Sequence, residues 1–320
     1  MDTASTLSRP GVRSLAAGIC AMTMVGGSVG VSRALVTAPL FTAQAIRYAT
    51  ATVVLLVLAR AARVPIARPR GREWLWLAGI AATGLVLFNV AVVRGVAHAE
   101  PAVIAVAVAC VPILLAVIGP LLERGRPRRQ VLLAALVVTV GSGLVQGAGR
   151  TDAVGVAWAA VALACEAAFT LLAIPVLSRH GPWGVSVHSV WIGAVMLAVL
   201  GGVAEGTGAV ARLTPADWAA MAYLAVLVTA VAFLLWYSAV ASLGAGRVGL
   251  LTGIAPVSAA LSGVVTGGRF PSPLVWTGIL VVIAGLVGGL WSRPAPSRSL
   301  APVSPASPVL TVSHGSRAPR

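Results

Sequence analysis

Three charged or titratable side chains lie inside long apolar runs of this sequence, where such groups are rare. Glu166 stands near the middle of one run, in the stretch Ala-Cys-Glu-Ala. Arg47 lies a third of the way into another run, and His188 lies early in a third. If the runs cross a bilayer, each buried charge costs about 2.5 to 3.5 kcal/mol on insertion scales and needs a reason to be there. A carboxyl group at that depth is suited to exchanging a proton, and a guanidinium to binding an anion.

Each of these side chains also has a structural interpretation. Glu166 either binds a proton or substrate, or it forms an ion pair or hydrogen bond between helices. Arg47 either binds an anionic group or extends its guanidinium to the nearer interface. His188 either titrates or bridges two helices with a hydrogen bond. Three uncharged side chains, which either line a cavity or bond between helices, complete the candidate set: Gln44, Asn89 and Tyr237.

Familiar catalytic and cofactor-binding motifs do not account for these residues. Residues 26–30 match GxSxG, but they lie within one apolar run and lack the strand that a nucleophile elbow needs. Residues 244–249 match GxGxxG, but a helical run and not a strand precedes them. The three cysteines, Cys20, Cys110 and Cys165, have no metal-ligand spacing and are interpreted as apolar packing residues. We therefore expect no catalytic residue, no metal ion and no cofactor.

The composition explains which elements carry the candidate residues. The chain has 320 residues, of which 58% are hydrophobic and 10% charged, whereas soluble domains carry about 25% charged residues. An ordinary soluble enzyme, a disordered protein and a disulfide-rich secreted module are therefore excluded. Because a helix needs about 20 apolar residues to cross a bilayer and backbone groups in lipid must be paired, the sequence predicts an all-α integral membrane protein. Its ten transmembrane helices are expected at 14–35, 39–59, 74–94, 101–122, 130–148, 154–177, 184–204, 216–241, 246–267 and 274–292.

The arginines indicate how these helices are oriented. The chain has no lysine, and seventeen of its 23 basic residues lie in the two tails and in the even-numbered connections between helices. Five lie in the odd-numbered connections, and the last is Arg47 inside a helix. The positive-inside rule then puts both termini in the cytoplasm. The net charge of +15 is accordingly assigned to the anionic leaflet of the bilayer and not to nucleic acid.

Similar landmarks recur about 144 residues apart along the chain. Each half holds five predicted helices, and an odd number means that the second half enters the membrane from the opposite side. Two similar halves of opposite orientation are the inverted-repeat plan of secondary transporters. The landmarks that the shift brings together are Glu73-Trp74 with Asp217-Trp218, Pro112 with Pro256 and Gly141 with Gly285, and a shift one residue shorter brings Pro39 onto Pro182.

These features divide the chain into four parts. Two five-helix repeats are flanked by a cytoplasmic N-terminal tail and by a C-terminal tail rich in proline, serine and arginine. Such a tail cannot bury enough apolar surface to fold, so we expect it to be disordered in the cytoplasm. The expected boundaries are 1–13 for the first tail, 14–149 and 150–292 for the repeats, and 293–320 for the second tail.

Several short sequence motifs accompany the ten predicted helices and the repeat. The second half contains Trp-Tyr-Ser-Ala at 236–239, followed by Gly244-Ala245, Pro256 and Gly278. The first half contains Pro39 followed by Arg47, and Glu123 closes its fourth helix. Together with the ten helices and the five-plus-five repeat, this pattern resembles the EamA-type permeases of the drug/metabolite transporter superfamily over roughly residues 14–292. One departure is that Gly267-Gly268 stand where the resemblance implies an acid near the end of the ninth helix.

The resemblance implies a permease of the cell membrane that moves a small metabolite, amino acid or drug by alternating access. The implied partners are a small-molecule substrate and the lipid bilayer, and a homo-oligomer is compatible with both. Transport is expected to be either proton-coupled or facilitative, with the six candidate residues near the path. An integral-membrane enzyme acting on lipid-linked substrates predicts clustered acids or histidines, whereas the eight acids here are scattered. A non-transporting membrane scaffold would have no need of Glu166.

Overall fold

The computed structural model describes residues 9–265 and 270–290. Within these ranges the chain is helical apart from turns, short connections and one antiparallel bridge between Ala99 and Thr151. Ten helical spans are long and apolar enough to cross a membrane, as predicted. Spans 1 to 10 are Gly11–Ser32, Leu40–Ala61, Glu73–Gly95, Pro101–Leu122, Arg129–Gln146, Ala153–Leu171, Ile174–Ala204, Pro215–Leu243, Ala245–Val264 and Pro273–Leu290.

Some predictions concern residues beyond these ranges. The C-terminal tail at 293–320, for which disorder was predicted, lies outside the described residues, as do the pair Gly267-Gly268 and most of the N-terminal tail at 1–13. The side of the connections that carry most arginines is called the Arg-rich side below. Among the described residues it is marked by the connections at 62–72 and 123–128, by Arg179 and by Arg247.

Local sequence signals place the starts of several spans. Proline occupies the first helical position of spans 4, 8 and 10, where its missing N–H costs nothing. Asp152 precedes span 6, and its carboxylate accepts a hydrogen bond of 2.7 Å from the Gly155 amide. Thr214 and Asp217 form a reciprocal capping box at the start of span 8. Because proline and capping residues leave little choice of start, the observed starts of these spans lie within one residue of the predicted ones.

The spans are interrupted at matching places in the two halves, which periodicity did not predict. Spans 3 and 8 contain π-helical segments, Ala81–Leu87 and Leu224–Val231. Span 4 breaks at residues 109–110, and span 9 tightens into a 3-10 turn at Leu251–Gly253. Each pair is separated by about the 144 residues that relate the sequence landmarks. The two halves therefore share a plan of helices and interruptions.

The junction between spans 6 and 7 differs from two separate helices joined by a loop. The backbone stays in the right-handed helical region at Leu172 and Ala173, so the chain continues from span 6 into the first residues of span 7. It turns at Gly181, whose φ of 60° and ψ of 178° are non-helical. Pro182 follows and begins the long helix that returns across the bundle. The predicted ends at 177 and 184 thus bracket the true turn.

Spans 5 and 10 cross at glycines. A Cβ added to Gly141 would lie 2.7 Å from the Val282 amide nitrogen, and one added to Gly285 would lie 3.0 Å from the Val138 amide nitrogen. A shift of 144 residues exchanges one of these pairs for the other. The bounds of the two spans, Arg129–Gln146 and Pro273–Leu290, are related by the same shift. Each half therefore makes the same contact at this crossing, as expected for two halves related by an approximate two-fold axis.

The largest buried cluster lies among the remaining spans. It gathers side chains from spans 1, 2, 3, 6, 7, 8 and 9, and its fully buried members include Leu55, Leu77, Leu197, Tyr237 and Leu251. Lipid tails are as apolar as these side chains, so close packing and interhelical hydrogen bonds hold such a bundle together. The polar side chains that lie between these spans are therefore the candidates for forming a site.

Candidate functional site

Arg47 is held between spans 2 and 8. Its Nε donates a hydrogen bond of 3.0 Å to Thr229 Oγ1, and its Nη1 donates one of 3.3 Å to Gln44 Oε1. The guanidinium carbon also lies 5.2 Å from the centre of the Tyr48 ring, a distance typical of a cation–π contact. Within residues 9–265 and 270–290 no carboxylate pairs with Arg47. The guanidinium is bound toward span 8 in the bundle interior.

Asn89 joins this group from span 3. Its Nδ2 donates a hydrogen bond of 3.2 Å to the Tyr48 hydroxyl and one of 2.6 Å to the Leu85 carbonyl. Gln44, Arg47, Tyr48, Asn89 and Thr229 are called the Arg47 cluster below. The predicted residues Gln44, Arg47 and Asn89 are thus brought together, although 45 positions separate the first from the last.

The π-helical segments adjoin the Arg47 cluster. Thr229 lies within the segment of span 8, and Asn89 lies two residues after the segment of span 3. π-Helical segments occur mostly as single turns within α-helices and are frequent at functional sites. They rotate the residues that follow relative to a regular helix, so these two interruptions help to determine where Thr229 and Asn89 point.

Glu166 lies on the inward face of span 6. The residues one turn before and after it, Ala162, Phe169 and Thr170, are all buried, and side chains at such spacings share a helix face. In the part of the chain that the structure describes, no hydrogen bond or ion pair reaches its carboxylate. The interhelical bond that was its structural interpretation is not observed. This carboxylate is left for water, a proton, a cation or a substrate.

Span 8 also covers the face on which Glu166 lies. The Tyr237 hydroxyl donates a hydrogen bond of 3.0 Å to the Phe169 carbonyl, and Trp236 Nε1 donates one of 3.0 Å to Thr170 Oγ1. Tyr237 therefore lies within one helical turn of Glu166, in its interhelical-bonding role. Trp236 and Thr229 are seven residues apart on span 8, which is about 10 Å along a helix. Span 8 therefore contacts both the Arg47 cluster and the helix face that carries Glu166.

His188 lies apart from both groups and ties a connection to the bundle. Its Nδ1 accepts a hydrogen bond of 3.1 Å from Trp191 Nε1, so its Nε2 carries the proton and donates to the Ala67 carbonyl at 2.9 Å. Both ring nitrogens of a neutral imidazole are thereby used. His188 thus bonds to the connection between spans 2 and 3 and to Trp191 of its own span, and not to a second helix.

A second group that sequence reasoning missed lies beside His188 on the Arg-rich side. The Glu73 carboxylate pairs with Arg179 and lies 3.1 Å from His180 Nε2. The His180 and His188 rings meet edge to face with centres 5.5 Å apart. These residues are far apart in the sequence. Their sequence signal was the excess of charged residues near the ends of the apolar runs.

Carboxylates also tie helix starts at both ends of the bundle. Glu123 accepts a hydrogen bond of 2.9 Å from the Ala245 amide on the Arg-rich side. At the opposite end Glu205 accepts bonds of 2.8 Å from the amides of Phe41 and Thr42. Asp152, just outside span 6, has its pKa lowered by the Gly155 amide and by His98. These acids act structurally, because each one is already bonded to backbone amides.

Two other kinds of site, a metal centre and a nucleophile elbow, can be compared with the described residues. Among the described residues, no group of three or more histidine, cysteine, aspartate or glutamate side chains is placed to hold a metal ion. Ser28 of the GxSxG match lies in a break of span 1 and donates to the Val25 carbonyl at 2.7 Å. A Cβ on Gly26 would lie 2.1 Å from the Ala255 carbonyl oxygen. The small residues of this motif therefore pack span 1 against span 9.

Ten spans, two halves of one plan and polar side chains in the interior between them are the architecture of a secondary transporter. Consistent with it, the model of the EamA-like transporter family matches residues 13–146 and 153–290. The chain belongs to this family, which confirms the resemblance read from the sequence. It is a multi-pass protein of the cell membrane, and its family consists of membrane transporters and not of enzymes.

Two curated bacterial proteins resemble the chain. One is the "Uncharacterized transporter YetK" of Bacillus subtilis, 30% identical over 277 residues that cover 83% of each chain. Another is the "Probable terminal-alkyne amino-acid exporter" of Streptantibioticus cattleyicolor, 26% identical over 225 residues that cover 69% of this chain and 75% of the relative. A solved crystal structure, 18% identical, has a TM-score of 0.72 and covers 89% of this chain and 98% of its own. That last similarity supports the fold alone.

Proposed function

We propose that the protein is a secondary transporter that moves a small amino acid or related organic acid by alternating access between its two five-helix repeats, 14–149 and 150–292. The observation that carries this proposal is the Glu166 carboxylate, which lies on the inward face of span 6 without a hydrogen-bonding or ionic partner in the described residues. An uncompensated acid at that depth is expensive to keep. Its retention is explained if it exchanges a proton during the transport cycle.

Arg47 has a different task in this proposal. Its guanidinium binds the carboxylate of the substrate, because it retains donors beyond those given to Thr229 and Gln44. A relative that is named as an amino-acid exporter supports a carboxylate-bearing substrate. In this proposal Arg47 binds the carboxylate of the substrate and Glu166 exchanges the proton.

The energy available to one proton is sufficient for this role. A pH difference of one unit supplies about 1.4 kcal/mol, and 100 mV of membrane potential supplies about 2.3 kcal/mol per charge. Either alone supports at least roughly tenfold accumulation, because tenfold requires about 1.4 kcal/mol. A single titrating carboxyl group at Glu166 is enough, and no second acid is needed in the cavity.

The test is transport by purified protein in proteoliposomes. The probes are the common amino acids, a set of simple carboxylic acids and propargylglycine, an α-amino acid with a terminal alkyne. Each is assayed by counterflow and then under an imposed pH gradient. Wild-type protein should exchange at least one probe and accumulate it when the gradient is applied. No exchange of any probe by correctly folded wild-type protein would contradict the substrate class.

Glu166→Gln separates proton coupling from folding. The variant should insert normally and lose the dependence of transport on pH between about 5.5 and 8, because glutamine keeps the shape of the carboxyl group but cannot ionise. Glu100→Gln, the same change in an acid paired with Arg150 at an exposed connection, is the matched control and should transport as wild type. Wild-type rates for Glu166→Gln at every pH in that range would remove Glu166 from the mechanism.

A further inference from the structure

A basic cleft lies on the Arg-rich side, away from the Arg47 cluster and Glu166. It is a cavity of about 300 Å³ between the connection that follows span 4 and the start of span 9. Its floor is apolar, with Ala116 and Val131 among the lining residues, and its rim is charged. The charged residues that line it are Glu123, Arg126, Arg128 and Arg247. Its place at the ends of the spans is the level at which lipid headgroups lie.

The charges of the cleft favour an anion. Glu123 is its one acid among the lining residues, and one of its oxygens is bonded to the Ala245 amide at 2.9 Å. Arg128 is close enough to Arg247 for the two cations to repel each other. Like charges held together in this way are relieved when an anion binds between them. The cleft thus gathers three guanidinium groups, the group that best matches the geometry of phosphate.

The fold itself does not require these arginines. The shift of 144 residues relates Arg126 to Phe270, and Arg128 to Ser272. The same shift relates Arg247 to Val103. None of the three arginines thus has an arginine at the related position of the other half. Arg247 differs from the arginines of the connection at 123–128, because it lies half-buried in the first turn of span 9 and faces the same cavity.

We propose that this cleft binds a phosphate group, and that the phosphodiester of an anionic lipid headgroup is the source that its position favours. Basic pockets between transmembrane helices at the cytoplasmic interface are suited to such headgroups. The apolar lining contacts the glycerol and upper acyl chain, while the arginines contact the phosphate oxygens. This site does not depend on the transport proposal, since it shares no residue with the Arg47 cluster or with Glu166.

The experiment measures lipid binding to full-length protein in detergent. Short-chain phosphatidylglycerol, phosphatidylcholine and inorganic phosphate are titrated separately, and bound lipid is counted by native mass spectrometry while the melting temperature is followed. The variant Arg126→Gln/Arg128→Gln removes two guanidinium groups from the rim. Arg129→Gln is the control, because it removes one guanidinium group at the start of span 5, at the same end of the bundle, from a residue that does not line the cleft.

The expected result is tight binding of phosphatidylglycerol that weakens about tenfold or more in the double variant and is unchanged in Arg129→Gln. Stabilisation by inorganic phosphate that is lost in the same variant would assign the site to a free phosphate and keep the phosphate chemistry. Equal loss in Arg129→Gln and in the double variant would reduce the effect to general charge and overturn the proposal. Binding that neither variant weakens would overturn it as well.

Discussion

At the scale of residues, the two halves differ in charge where the candidate site lies. A shift of 144 relates Gln44 and Arg47 to His188 and Trp191. Both pairs are bonded in the same way, with the second residue donating to the first three positions earlier on spans 2 and 7. The shift also relates Glu166 to a methionine. Arg47 and Glu166 thus each stand where the other half has an uncharged residue. Because the shared arrangement of helices forms without these charges in one half, the charges serve something other than the fold.

Thr229→Val tests how Arg47 is positioned. Valine has the shape of threonine but removes the oxygen that accepts the bond from Arg47 Nε, so the guanidinium loses its anchor on span 8. A hydrogen bond to a charged group contributes about 1.5 kcal/mol or more, and we expect the KM for a transported carboxylate to rise about tenfold with kcat little changed. Arg47→Ala should raise KM further.

The matched control for this prediction is Thr277→Val. The Thr277 hydroxyl is exposed and bonds only to the Pro273 carbonyl within its own helix, so its loss should leave transport kinetics unchanged. If Arg47→Ala transports with wild-type KM, the guanidinium does not contact the substrate and serves only to join spans 2 and 8.

At the scale of elements, Glu123 explains the departure at residues 267 and 268. Its carboxylate is bonded to the Ala245 amide at the start of span 9. The shift of 144 relates Glu123 to Gly267, which lies outside the described residues, and relates Ala245 to Pro101. Proline has no amide hydrogen. An acid at 267 would therefore have no corresponding amide to accept from, and its replacement by glycine removes no bond of this kind.

The crossing of spans 5 and 10 gives the second prediction at this scale. A Cβ on Gly141 would lie 2.7 Å from the Val282 amide nitrogen and 2.9 Å from the Gly278 carbonyl oxygen. These are backbone atoms that cannot turn aside, so Gly141→Ala must separate the two spans. Overpacking of this kind costs about 1 to 3 kcal/mol. We expect the melting temperature in detergent, and the midpoint of unfolding in mixed micelles, to fall.

Gly143→Ala is the control on the same span. No atom lies within 4 Å of the position that its Cβ would occupy, so the change should be neutral or stabilising by up to about 1 kcal/mol through helix propensity. Equal effects of the two alanines would mean that spans 5 and 10 do not cross at Gly141.

At the scale of the whole molecule, the arginines predict an orientation of the bundle that can be measured. The connections at 62–72 and 123–128, together with Arg179 and Arg247, lie at one end of the bundle, and the Glu205 contacts lie at the other. The positive-inside rule assigns the first end to the cytoplasm. The distribution of charge thus predicts which end of the transporter faces the cytoplasm, and which leaflet contacts the basic cleft.

Cysteine labelling of intact cells tests this orientation. In a background that lacks Cys20, Cys110 and Cys165, a membrane-impermeant maleimide should label Gly149→Cys and should label Arg68→Cys only after the cells are opened. The two positions lie in connections at opposite ends of the bundle. Labelling in the reverse order would place both termini outside and would exchange the leaflet that the basic cleft faces.

The sequence by itself determined the class of the molecule and most of its elements. Continuous apolar runs of about 20 residues have one stable form in lipid, because their backbone groups must pair within the helix. Ten spans, the repeat and the family all followed from that constraint and from the spacing of a few landmarks. The bounds of the spans followed to within a few residues, except at the junction between spans 6 and 7. The candidates Glu166 and Arg47 followed as well, because a charge inside an apolar run is conspicuous.

Only the tertiary structure decided which candidates lie together and which groups each one contacts. Thr229 and Tyr48 are inconspicuous in the sequence, yet they hold Arg47 and Asn89. His188, equal to the others as a sequence candidate, binds a connection instead. Helical periodicity gives the face of one span, but the partner of that face depends on how spans distant in sequence cross and where π-helical segments rotate them. Those crossings depend on packing between halves, which no local pattern encodes.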